Sequence, residues 1–355
     1  MSAQQRSVAA GILLVVTAFV YLTHLGTAPM YLMHDEVNYS LQAQSLADTA
    51  RDTNGRLLPL YFAEAGFEAG RDPLSIYATA LLLKVRPLSE STVRTPTAVV
   101  GILCVFLMWL LACRLFEDES LGLLTAAMLA MTPGLFVNSR LALSIVYPVP
   151  FVLGWLLCMS YFVPHGAWRP LMSGAMVLGL GVYSYLASVV MMPIYLASTA
   201  WVLRKRGDGR RIPAILAAFA AALVPLLVWQ LAHPNRYQDL ISAYRLFEPA
   251  DADTVGGLSA LGDELLRRVG LYWNFFDPTT LFLSGGSRMT NATGAAGIFP
   301  LAFACLVPLG VFHVVRAEGS PLGKMILAGF LTSPAASVLS GRLDINRVLF
   351  AIPFG

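Results

Sequence analysis

Residues 8–36 read VAAGILLVVTAFVYLTHLGTAPMYLMHDE. From Val8 to Leu25 there is no charged side chain, and a helix of about 20 apolar residues is what a bilayer core requires. The stretch ends on an acidic pair, Asp35-Glu36. Carboxylates are costly inside a membrane. Two of them at the mouth of a span either cap the next helix or do chemistry at the membrane surface. A short N-region with one charge, Arg6, also suits a signal peptide. No small-x-small cleavage pattern precedes Pro29, so the segment reads as a retained anchor helix.

The rest of the chain has the same character. Of 355 residues, 57% are hydrophobic and 13% charged, where soluble domains carry about 25% charged. Mean hydropathy is +0.66. This is the composition of a polytopic membrane protein, all-α, with about ten or more transmembrane helices. Lysine and arginine form no aromatic-interleaved patch, so nucleic acid is excluded as a partner. Cys104, Cys113, Cys158 and Cys305 fall in or beside apolar runs without metal or disulfide spacing, and read as packing residues.

Hydropathy places spans at 8–26, 94–115, 119–137, 145–163, 170–187, 188–203, 212–232, 297–315 and 324–339, with another beginning near Val348. The 170–203 stretch is too long for one span, and a break near Ser188 is expected. With the N-terminus inside, Arg6, Arg114, Arg169, Arg204, Lys205, Arg206, Arg210, Arg211, Arg316 and Lys324 fall on the cytoplasmic side, as short-loop charge bias requires. The short outer loops keep Arg140, Arg342 and Arg347. Two long segments, 27–93 and 233–296, then face outward with most of the acidic residues. The chain reads as one membrane-embedded domain over 1–355. It stops inside an apolar run at Ala351-Ile352-Pro353-Phe354-Gly355, and continuation beyond that point is expected.

Within 27–93, Asp35 is placed to cap a helix running to about Ala50, and Asn54-Gly55 marks a turn. Asp72-Pro73 puts an N-cap residue before a first-turn proline. The apolar helix after it, from Pro73 to about Val85, suits the interface plane.

On the residues alone, Asp35 is either a helix cap or a base. A family pattern sharpens the choice. After the first span come Asp35-Glu36, then Gly55-Arg56-Leu57-Leu58-Pro59-Leu60-Tyr61-Phe62, Pro73-Leu74-Ser75-Ile76-Tyr77 and Arg94-Thr95-Pro96-Thr97-Ala98. Later come Phe275-Phe276-Asp277-Pro278, Ser333-Pro334-Ala335-Ala336, Arg347 and Pro353. This order resembles the membrane glycosyltransferases of the protein O-mannosyltransferase and lipid A aminoarabinose transferase type, with the GT-C fold. The resemblance runs over essentially the whole chain. It implies a sugar donor linked to polyprenyl phosphate, transfer to an acceptor on the extracytoplasmic face of the plasma membrane, and Asp35 as catalytic base with Glu36 completing the pair.

Elementary chemistry agrees with that implication. An acceptor hydroxyl attacks an anomeric carbon more readily once its proton is taken, and a surface carboxylate can take it. The leaving group departs as a stable phosphate anion, so cations matter more than the second carboxylic acid of glycoside hydrolysis. A single displacement inverts the anomeric centre. The resemblance puts basic residues at Arg140 and Arg347, and with Arg71 and Arg288 these are the candidates for the donor phosphate.

Two positions depart from the pattern. Many relatives carry a lysine where this chain has Asp72, with Arg71 one residue earlier. Asn138 to Ser144 offers no second acid, so no metal site and no cofactor are expected. His34, Tyr183, Tyr185 and Tyr195 read as interfacial or bundle residues, and Asn291-Ala292-Thr293 is a glycosylation sequon by pattern only. The rival reading is a transporter or flippase of a lipid-linked saccharide, which repeated halves and mid-membrane charges would signal. An inactive relative would share the fold.

Overall fold

The computed structural model describes residues 3–64, 67–233, 257–285, 294–316, 320–341, 347 and 349–355. Helices occupy each segment read as a span up to 324–339, while the span expected from near Val348 shows only the short turn Leu349–Ala351. The first, α1 (Ala3–Leu22), turns Val8, Ile12, Val15, Val16 and Phe19 outward. Its other side is buried, where the Tyr21 hydroxyl donates to the Ala130 carbonyl at 3.0 Å. Then come α2 (His34–Thr49), a hairpin of β1 (Phe62–Glu64) and β2 (Phe67–Arg71), α3 (Pro73–Leu83) and α4 (Glu90–Phe116). The all-α expectation is amended by that hairpin, in which Phe62 pairs with Arg71 in antiparallel register.

The loop helices form because their apolar positions recur at helical spacing. Tyr39, Ala43 and Leu46 are buried on α2, and Ile76, Ala80 and Leu83 on α3. The two helices pack on each other, and α3 packs on α4. Asp72 and Pro73 start α3 as expected. The N-terminus of α2 corrects the expectation for Asp35. Met33 is the N-cap residue, and Asp35 lies inside the first turn. The Asn54-Gly55 turn closes around Asp52, whose carboxylate accepts from the backbone N–H groups of Asn54 (3.0 Å) and Arg56 (2.7 Å).

The next pair, α5 (Glu119–Ala130) and α6 (Pro133–Ser139), forms one path bent by 58° where Pro133 cannot continue the α5 hydrogen bonding. Along the antiparallel α4–α5 seam, a Cβ on Gly122 would meet Cys113 Sγ at 2.2 Å, so only glycine lets the two helices approach this closely. Gly101 does the same for α4 against Ser139 and Tyr21. Next are α7 (Pro148–His165), α8 (Trp168–Gly181) and α9 (Ser188–Lys205), with the break falling at 182–187 as the sequence suggested. A second bent path, of 54°, joins α10 (Ile212–Ala222) to α11 (Val224–Ala232). Beyond lie α12 (Gly257–Phe275), α13 (Phe303–Arg316), α14 (Pro321–Thr332) and α15 (Ala335–Leu339).

Among the described residues, three helices are long and apolar enough to cross a membrane, or five if each bent pair is one span. The segment expected to span 297–315 is helical only from Phe303, because 294–302 is irregular.

The bundle has two unlike ends. At one, Arg114 lies over the Tyr161 ring (4.8 Å), Arg206 over Phe162 (5.4 Å) and Arg211 over Trp168 (5.2 Å). Arg206 also donates to the Val163 carbonyl and Arg211 to that of Gly166. The basic run 204–211 is thereby gathered with Arg114. The opposite end carries α2, the hairpin, the start of α4 and the segment 140–147.

Candidate active site

Asp35 and Glu36 are neighbours, and a helix turns about 100° per residue, so the pair is split between two environments. Glu36 faces inward and is fully buried. Its Oε1 accepts from Arg94 Nε (2.9 Å) and the Ala142 N–H (2.8 Å). Its Oε2 accepts from Arg94 Nη2 (3.2 Å) and the Met33 N–H (3.0 Å). Arg94 is itself fully buried. Its remaining N–H groups donate to the carbonyls of Leu25 (2.9 Å), Pro29 (2.7 Å) and Tyr31 (2.9 Å). All five guanidinium donors are therefore committed.

Arg140 is committed in the same way. It donates to the carbonyls of Val20 (3.1 Å), Tyr21 (3.1 Å) and Thr23 (2.8 Å), and through Nε and Nη2 to that of Ala28 (3.2 and 2.9 Å). Burial and the nearby Arg94 charge hold its pKa below the usual arginine value. A guanidinium so placed satisfies the open carbonyls at the end of α1 and complements its dipole. The expectation that Arg140 holds phosphate is corrected on this ground: it has no N–H left to offer.

Asp35 occupies the other face. Its side chain is 55% exposed, and Oδ1 accepts from Arg71 Nη2 at 2.9 Å. Arg71, at the end of β2, has a side chain only 8% exposed, and its guanidinium lies 4.8 Å from the centre of the Tyr39 ring. Tyr39 stands four residues after Asp35, on the same face of α2. The Tyr39 hydroxyl meets Ser144 Oγ at 3.0 Å, and Ser144 Oγ donates to Asp72 Oδ2 at 2.8 Å. Burial pushes the Asp72 carboxyl up to about 6, against the opposing pull of Ser144, the Leu186 N–H, Arg71 and Tyr39. Burial and the Asp72 charge push the Tyr39 phenol up as well.

The structure thus brings Asp35 and Arg71 together, and sets Glu36 and Arg140 in a buried clamp beside them. Arg347 is half-buried just before the turn Leu349–Ala351. Arg288 and the sequon at Asn291 lie outside the described residues. The His34 ring, on the exposed side of α2, bonds Asn38 at 3.1 Å. Among the described residues no three His, Cys, Asp or Glu side chains gather at one point.

Sequence reasoning gave no role to Arg94, Tyr39 or Ser144. For Arg94 a signal existed: an arginine at the head of a 27-residue apolar helix is expensive unless partnered. Tyr39 and Ser144 carried no such signal, because each is an ordinary residue for its element.

Comparisons with known proteins bear on the fold. Residues 70–229 match the family model for dolichyl-phosphate-mannose-protein mannosyltransferase. No curated protein sequence matches the chain. The crystal structure of ArnT from Cupriavidus metallidurans bound to undecaprenyl phosphate is similar with a TM-score of 0.68 and 14% identity, over 99% of this chain and 59% of that one. ArnT from the same organism in the apo state is similar with a TM-score of 0.52 and 16% identity, over 94% of this chain and 59% of that one. The fold is that of ArnT, and the chain spans 59% of the length of those ArnT chains. The resemblance carried by the sequence motifs therefore holds at the level of family model and fold. The matched segment starts beside Arg71 and does not reach back to Asp35.

Proposed function

We propose that this chain is a membrane glycosyltransferase that moves a sugar from a polyprenyl-phosphate donor to an acceptor hydroxyl, with inversion. The observation that carries the reading is Asp35: a half-exposed carboxylate on a helix locked from behind by the Glu36–Arg94 pair, next to a cation. In this reading Asp35 takes the acceptor proton as the anomeric bond forms, and the proton passes to water. The C–O bond to phosphate breaks, and the electron pair leaves with the phosphate. Arg71, Arg347 and Arg288 are the cations proposed for that phosphate, while Glu36 and Arg140 hold the helix that presents the base. The ArnT structure similar to this fold holds undecaprenyl phosphate, which supports a lipid-phosphate donor.

The further proposals concern placement. The basic end faces the cytoplasm, in keeping with the bias of short loops. The segments 27–93 and 233–296 then face outward, on one domain of about ten or more spans in the plasma membrane. No metal or cofactor takes part.

The test is release of free polyprenyl phosphate by the purified protein in detergent. It is given a polyprenyl-phosphate sugar and an acceptor alcohol, with chelator present. Transfer with release of the lipid phosphate is the expected result. A protein that releases none, yet speeds movement of the donor between leaflets of vesicles, is a flippase and ends this reading.

A further inference from the structure

One buried carboxyl at the acidic end has no part in the chemistry above. Asp72 occupies the N-cap position of α3, yet its side chain makes no capping hydrogen bond to that helix. Only 5% exposed, it turns instead to Ser144 on the segment after α6 (2.8 Å) and to the Leu186 N–H between α8 and α9. An isolated buried carboxylate is costly, and a helix cap that does no capping does not account for one. Its other neighbours are Tyr39 and Arg71. The Tyr39 hydroxyl bonds Ser144, and the Tyr39 ring carries the Arg71 guanidinium.

The contact between Arg71 and Asp35 is unusual in a telling way. Arginine and carboxylate favour a fork with two parallel N–H donors. Here a single N–H reaches a single oxygen, Nη2 to Oδ1 at 2.9 Å, and Oδ2 has no described partner. An end-on pair leaves one carboxylate oxygen for a substrate proton, where a closed fork takes both. Behind the guanidinium stand the Tyr39 ring and the Asp72 charge.

We propose that Asp72 is a positioning residue for sugar transfer: through Tyr39 and Ser144 it holds Arg71 end-on to Asp35, so that Asp35 Oδ2 stays open to the acceptor hydroxyl. The inference rests on the reading of Asp35 as the base. Removing the Asp72 charge lets Arg71 swing fully onto Asp35 and close the fork.

The test uses the full chain in detergent with Asp72→Asn, which keeps the shape and the Ser144 contact. Two quantities are read. One is the rate at which a water-soluble carbodiimide labels Asp35, followed by mass spectrometry, which needs no turnover. The other is kcat and donor KM for transfer. Closing the fork slows labelling of Asp35 by roughly tenfold and lowers kcat by a similar factor, and donor KM rises because Arg71 is also one of the cations proposed for the donor phosphate. Ser144→Ala acts in the same direction, and Ser144→Thr, which keeps the hydroxyl, recovers the labelling rate. If Asp72 only holds the loops together, Asp72→Asn loosens them, and Asp35 is labelled at the same rate or faster; that result overturns the proposal. Slower labelling in a protein that transfers no sugar supports the positioning and ends the glycosyltransferase reading, so the two failures are told apart.

Discussion

Two carboxylate–guanidinium pairs lie side by side at the acidic end, and they differ in nearly everything except chemistry. Glu36 and Arg94 are both fully buried, and every guanidinium N–H and both carboxylate oxygens are in use. Asp35 and Arg71 touch at one point, with the carboxylate half in solvent. The first pair is saturated and can bind nothing more. In the second, Asp35 Oδ2 has no described partner and stands in a fixed place, which suits the role of base proposed for it. Adjacency in sequence therefore says little about shared surroundings, since one helical step separates a saturated pair from a half-exposed one.

The contrast can be broken most forcefully at the buried pair. Arg94→Ala strands the Glu36 carboxylate and releases three backbone carbonyls. A loss of about 3–5 kcal/mol is expected, seen as a collapse in the yield of folded protein and in the thermal midpoint in detergent. Normal folding of Arg94→Ala would mean that the clamp is not what holds α2.

At the open pair the expectation reverses. Asp35→Asn removes the proposed base, and in the fold it gives up one contact between the half-exposed Asp35 and Arg71, a modest cost next to that of Arg94→Ala. Transfer should fall by about a hundredfold or more with the unfolding midpoint nearly unmoved. Turnover at the normal rate would leave Asp35 as a surface residue.

Asp72 sharpens the comparison, being buried like Glu36 but without a guanidinium fork. Its folded value of about 6 lies above the ordinary 3.8. Between those values the native state binds more protons than the unfolded one, so stability falls as pH rises from about 4 to 6 and then levels off. Asp72→Asn should remove that slope. The variant is expected to be more stable than the parent at pH 7, by on the order of 2 kcal/mol, with the gap closing near pH 4. Parallel melting curves across that window would rule this out.

Much of the fold was legible because membrane spans are written in long apolar runs. The break at 182–187 followed from a run too long for one helix, and Pro73 announced α3. The site was legible only in outline. Asp35 drew attention through its charge, but its supposed cap belongs to Met33, whose backbone N–H is satisfied by Glu36. Arg140 read as a free cation because the carbonyls that absorb it come from residues 20–28, about 120 positions away. The hairpin was missed as strand because three- and five-residue strands carry almost no periodic signal and are set by their surroundings. The bends at Pro133 and Val224-Pro225 lay inside runs that hydropathy alone reads as straight.

The stretch from Thr23 to Met33 contains no regular α-helix of its own, yet it is riveted. Arg94 fastens it to α4, and Arg140 fastens it to the segment after α6. In mechanical terms this is a bolted joint rather than a slack cable. A slack connector would let α1 tilt with changes in bilayer thickness while α2 stayed still. Here a tilt of α1 would bear on the same rivets that seat α2, the helix that carries Asp35.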